Sequence, residues 1–258
     1  MDEINDLLEN YNSLVKERIN LEVQLYQTKY PYENFILPEI VTSNNFHQDA
    51  INIYKELGYS DHYLAGIEKR ANWDSTIALT IFNNIRIKHP PRIIINELHW
   101  RDDTILHELT HISDYYNYCQ KNNYLDHTFL EFLQLKDHMC VYLFSEFRAF
   151  YRCAMHSKEN IEKRLEFETQ QLERRLEKSI QAQQLEAYYY YSVSYAGFFC
   201  SYLSKGSTKE EVEKFIRQTD ANLIHVLIKF LYPLKDKSFE ELENCFPAFQ
   251  KALEKFVN

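Results

Sequence analysis

Thr104-Ile105-Leu106-His107-Glu108-Leu109-Thr110-His111-Ile112-Ser113-Asp114-Tyr115-Tyr116 is the stretch on which the rest of the chain depends. Ile105, Leu106, Leu109 and Ile112 recur at spacings of three and four, so the segment predicts a helix with one apolar face. Asp102 and Asp103 precede it as N-cap candidates. His107 and His111 stand four apart, which places both imidazoles on one side of that helix about one turn from each other. Glu108 is rotated off the pair but stays within reach of a water between them. Two neutral imidazoles with a neighbouring carboxylate are what a catalytic zinc site asks for: nitrogen donors, one position open to water, and a base for that water's proton.

Two histidines do not complete such a site, and a third protein ligand is expected. The extension that would supply a third histidine six residues on is absent, since position 114 is Asp and position 117 is Asn. The favoured candidate is Glu146, in Phe144-Ser145-Glu146-Phe147-Arg148-Ala149-Phe150-Tyr151. A carboxylate in so apolar a helix needs a positive partner. Ala149 is small enough to let a facing helix approach. Glu131 competes for the role, and His127 and His138 are further alternatives. Asp114 lies on the His107/His111 face and is a candidate to accept an imidazole N–H from behind the metal. Tyr115, Tyr116, Tyr142 and Tyr151 are candidate oxyanion donors, each with packing as the competing role. Arg148 is expected in an ion pair rather than on substrate.

The string His107-Glu108-Leu109-Thr110-His111 with a distant Glu resembles the HExxH zincin metallopeptidases of the gluzincin type. The string itself is similar to that of thermolysin-like enzymes, but their Asn-Glu-x-x-x-Asp signature is absent around Glu131. The Glu146-Phe147-x-Ala149 stretch is more similar to the third-ligand helix of compact bacterial zincins, including the ImmA/IrrE group that cleaves repressors. The resemblance spans about residues 75 to 155. It implies a catalytic core with Zn2+ on His107, His111 and Glu146, and with Glu108 as general base.

Outward from this core the chain reads as predominantly helical α+β, a zincin-like core with a small sheet preceding the HExxH helix. Gly (4) and Pro (6) are too few for a loop-rich or all-β chain of this length. Three regions are expected to form one compact unit: 1–74 helical, 75–157 the core, 158–258 helical. Residues 2–28 predict an amphipathic helix, Pro31 and Pro38 bracket an irregular link, and 45–57 predict a helix ended by Gly58. Residues 77–82, 85–88 and 92–98 predict strands, with Asn83-Asn84 as a turn between the first two. The 93–98 strand is the expected edge on which an extended peptide could lie. Residues 158–186 form a charged helix with a thin apolar stripe. Residues 186–203 are apolar but too short and too rich in Ser and Tyr for a membrane span, which predicts a buried helix. Ser207 and Ser238 open two capping boxes.

The net charge of −9 without a basic cluster argues against nucleic acid or an anionic membrane as partner. Five scattered cysteines, with no C-x-x-C, predict free thiols in a reducing compartment. An acidic, polar N-terminal segment carries no secretory signal, so a cytoplasmic location is expected. The sequence therefore predicts a zinc-dependent peptidase acting on a peptide or protein, with a dedicated regulatory protein as one substrate class. The alternative is a non-catalytic helical interaction or regulatory protein with a structural or vestigial metal site.

Overall fold

The computed structural model describes the chain except residues 1, 32, 70–72, 74–75, 98, 100, 102, 158–160, 207–209, 211–213, 215–221 and 255–258. The described part is mostly helical with one three-stranded sheet. Helix α1 (Asp2–Lys29) is followed by β1 (Glu39–Ser43), α2 (Phe46–Glu56), α3 (Asp61–Ile67), β2 (Ala78–Ile81) and β3 (Arg92–Asn96). Helices α4 (Thr104–Lys121), α5 (Phe129–Phe132), α6 (His138–His156), α7 (Ile161–Gln181) and α8 (Leu185–Ser204) come next. Then come α9 (Asn222–Leu231), a 3-10 turn at Tyr232–Leu234, α10 (Phe239–Glu243) and α11 (Phe246–Glu254).

The sheet order is β1-β3-β2, with β1 parallel and β2 antiparallel to β3. Ile93, Ile94 and Ile95 are all fully buried. Alternation along the strand sends Ile93 and Ile95 into the main core under α4, and Ile94 into a smaller core with α2 and Trp73. A strand apolar on both faces is a central strand. This corrects the expectation that 93–98 is the edge: β3 lies in the middle, and β2, with β3 on one side, runs beside α4. β1 is an element the sequence reading omits, although Ile40-Val41-Thr42 is a β-branched run. It draws the N-terminal region into the same sheet as the core strands.

The expected strand at 85–88 is absent. Asn83 Oδ1 accepts from the Ile85 N–H (2.9 Å) and turns the chain. The Ile87 and Lys88 N–H groups then donate to the His127 and Leu125 carbonyls (2.9 Å each), so this segment ties to the loop after α4 rather than to the sheet. Gly58 ends α2 as expected, with φ +89°. The capping box of Ser238 with Glu241 forms, whereas the one expected at Ser207 lies outside the described residues.

Helix α6 is the axis of the helical layer. It packs on α4 on one side and on α8 on another. The second contact is close because α8 carries Gly197: a Cβ there would meet the Phe147 carbonyl oxygen at 2.4 Å. The 186–203 run is the buried helix α8, and among the described residues no helix is long and apolar enough to cross a membrane. In α7 the thin stripe buries Leu172 and Leu176 and leaves Ile180 exposed. The cysteines are all free thiols, and four of the five are buried.

Candidate metal centre

Helices α4 and α6 cross so that three side chains converge. Donor atoms of His107, His111 and Glu146 all lie within 4.8 Å of one another, the one such group among the described residues. The two Nε2 atoms are 3.0 Å apart. Glu146 Oε2 is 3.7 Å from His107 Nε2, and its Oε1 is 3.6 Å from His111 Nε2. Tetrahedral zinc, with ligands at about 2.0–2.1 Å, separates neighbouring donor atoms by roughly 3.3 Å. Side-chain exposure is 21 % for His107, 11 % for His111 and 8 % for Glu146, so the group opens to solvent on the His107 side.

The electrostatics fit the same ion. Glu146 Oε2 is buried without a hydrogen-bond partner. Burial, and then the nearby Glu108, push the Glu146 carboxyl well above the usual range. A buried carboxylate in that state is costly unless a positive charge joins it, and a divalent cation reverses the balance. Burial lowers His107 to about 4 and, with His107 adding, lowers His111 well below the ordinary value. Both rings are therefore neutral at pH 7, as metal ligation requires.

Glu108 stands beside the group rather than in it. It is held by β2: Thr80 Oγ1 donates to Glu108 Oε2 at 2.7 Å. Burial raises the Glu108 carboxyl to about 7 against the pull of the Thr80 hydroxyl and N–H. A carboxyl poised there takes and returns a proton near neutrality.

Behind the histidines the arrangement differs in one step from the expectation for Asp114. His111 Nδ1 lies 2.8 Å from Ser145 Oγ. With Nε2 turned to the group, Nδ1–H donates to Ser145, the residue before Glu146. Asp114 is one step further back: fully buried, next to the Ser145 hydroxyl, with Arg148 Nε 3.3 Å from its Oδ1. Arg148 continues to Glu33, which also binds Arg152, Tyr26 and Ser113. Arg148 is thus a buried ion-pair residue, as expected. Ser145, Thr80 and Glu33 carry no sequence signal, because each acts through a contact between segments far apart in the chain.

The competing ligands lie elsewhere. Glu131 is exposed and closes a capping box with Thr128 at the start of α5, which removes it from the site. His138 Nδ1 bonds the Leu135 carbonyl (2.8 Å), and His127 packs against the Tyr124 ring. Asp103 takes the N-cap position of α4 without a side-chain cap bond, and Asp102 lies outside the described residues. Among the tyrosines, Tyr151 bonds Ser204 and Tyr115 stacks on Phe82. Tyr116 is half-buried, and Tyr142 stacks on Tyr190 of α8. Burial raises Tyr190 well above its ordinary value, and Glu146 and Glu108 both add to the shift, which brings an unforeseen phenol to the edge of the site. No protein-family model matches the chain, and no curated protein or solved structure is significantly similar to it.

Proposed function

We propose that the chain is a zinc-dependent peptidase of the gluzincin type, with His107, His111 and Glu146 as ligands and Glu108 as general base. The observation that carries this reading is the buried Glu146 Oε2, without a hydrogen-bond partner and facing two neutral imidazoles, with a second, hydrogen-bonded carboxyl alongside. Zinc bound there would supply a Lewis acid that acidifies a water and polarises the substrate carbonyl. Glu108 takes a proton from the attacking water and hands it to the leaving amine, so peptide and water become acid and amine. Thr80 holds the Glu108 carboxyl in place through that transfer. Ser145 fixes the tautomer of His111 by accepting from Nδ1–H.

An extended peptide adds to β2, which among the described strands pairs with β3 alone and, through Thr80, touches the base. A dedicated regulatory protein is a substrate class that suits this reading. A structural zinc is closed by four protein ligands. Here three converge among the described residues and His107 stays partly exposed, which favours an open position.

The test is Glu108→Gln. The variant keeps zinc and loses hydrolysis of a proteome-derived peptide library, read by mass spectrometry, by at least about a hundredfold. Zinc-loaded wild type that cleaves neither the library nor candidate regulator proteins overturns the peptidase reading in favour of a non-catalytic protein.

A further inference from the structure

Beside the metal group lies a shallow, partly open recess. Its walls are aromatic, from Phe150, Tyr190, Tyr191, Tyr195 and Phe198, and among the described residues its charged member is Arg175 of α7. Two walls are shared with the candidate centre. Phe150, one turn beyond Glu146 on α6, sets its ring edge-on against the His107 imidazole (centroids 5.0 Å apart, 88°). Tyr190 stacks on Tyr142 and lies within electrostatic reach of both Glu146 and Glu108.

Arg175 is the unusual residue. Its guanidinium sits over the Tyr191 ring at 5.5 Å, and no carboxylate among the described residues pairs with it. Arg175 is exposed at the rim of the recess, so its guanidinium meets solvent there. A guanidinium on a ring face keeps its fork of N–H donors free for a planar anion and binds a carboxylate through two parallel bonds. The rings offer an apolar body a flat surface.

We propose that this recess is a substrate-specificity pocket that takes a carboxylate-bearing group with an apolar stem, and that Arg175 is its specificity determinant. The carboxylate comes from an acidic side chain or from a free peptide C-terminus. The consequence for cleavage rests on the peptidase reading, but the binding itself does not.

Binding is measured first on the full chain stripped of metal by chelation, so that no ion can hold an acid. The probes are 3-phenylpropanoate and its neutral amide, titrated by NMR. The acid binds wild type about tenfold more tightly than the amide. Arg175→Met abolishes the difference, and Arg175→Lys keeps part of it. Equal binding of acid and amide to wild type, or a preference that survives Arg175→Met, overturns the inference. Cleavage of peptide libraries by the zinc-loaded protein then separates the two sources. An acidic side-chain ligand places Asp or Glu at a fixed distance from each cut. A C-terminal ligand restricts cutting to free-acid peptides and spares C-terminal amides. In either case Arg175→Met raises KM about tenfold. An acid preference without cleavage overturns the peptidase reading and leaves the carboxylate pocket standing. Cleavage indifferent to both acid and Arg175 overturns the pocket and leaves the peptidase.

Discussion

Glu33→Ala removes the carboxylate on which two buried guanidiniums depend. Glu33 accepts from the Tyr26 hydroxyl (2.7 Å), the Ser113 hydroxyl (2.9 Å) and Arg152 Nη1 (2.8 Å), and it pairs with Arg148. The Arg148 and Arg152 side chains are 2 % and 8 % exposed, so water cannot replace the lost partner. Breaking a buried pair by deleting one member costs about 3–5 kcal/mol. Asp114 stays beside Arg148 and offsets part of the exposed charge, which sets the expectation near the low end, about 3 kcal/mol. For a chain of this size that is a fall in Tm of roughly 10 °C. The assay is urea unfolding followed by far-UV circular dichroism, with the slope against urea unchanged. The sign with pH is defined. Burial alone would raise Glu33, but Arg148 and Arg152 outweigh it and hold the carboxyl well below its ordinary value. Its contribution is therefore present above about pH 4.5 and is lost as the pH falls through the lowered folded value. The gap between wild type and Glu33→Gln closes in acid. A Glu33→Ala loss below about 1 kcal/mol would refute the view that this carboxylate holds the two arginines.

Ser145→Ala removes the acceptor behind His111 and should weaken zinc binding about 10–100-fold in chelator competition, and because the hydroxyl is fully buried it also costs about 1–3 kcal/mol of stability. Thr80→Val deletes a hydroxyl that lowers the Glu108 carboxyl, so the acid limb of kcat/KM should move up by about one pH unit. Glu22, 9 % exposed on α1, is raised to about 8 by burial, with Arg18 opposing. A raised acid costs stability as pH climbs from about 4.5 toward 8, because the unfolded chain releases the proton first. Glu22→Gln should therefore stabilise by on the order of a few kcal/mol at pH 8 and by almost nothing at pH 4, read as Tm at the two pH values.

The long helices were legible because their apolar residues recur with the helical period. The buried character of α8 was legible in its apolar run. The sheet was less legible. β1 is a five-residue run beside a proline-rich link, and nothing local says that it pairs with a strand some fifty residues on. Ile85 and Ile87 alternate like a strand, but the Asn83 side chain and the prolines at 90 and 91 break the ladder. The central place of β3 was visible in principle, since Ile93-Ile94-Ile95 is apolar without alternation. At the site, spacing alone set His107 and His111 together, whereas choosing between Glu146 and Glu131 needed depth. One is buried in α6; the other, in an exposed first turn, satisfies a backbone N–H. Thr80, Ser145 and Glu33 meet their partners only after folding.

The most direct test of the centre is the zinc content of the purified protein, measured by elemental analysis for wild type, His111→Ala, Glu146→Ala and Glu131→Ala. The ligand set proposed here gives about one zinc per chain in wild type and in Glu131→Ala, and loss of it in the other two. A wild type that holds no zinc after reconstitution, or a Glu146→Ala protein that holds it as wild type does, would contradict the proposed centre.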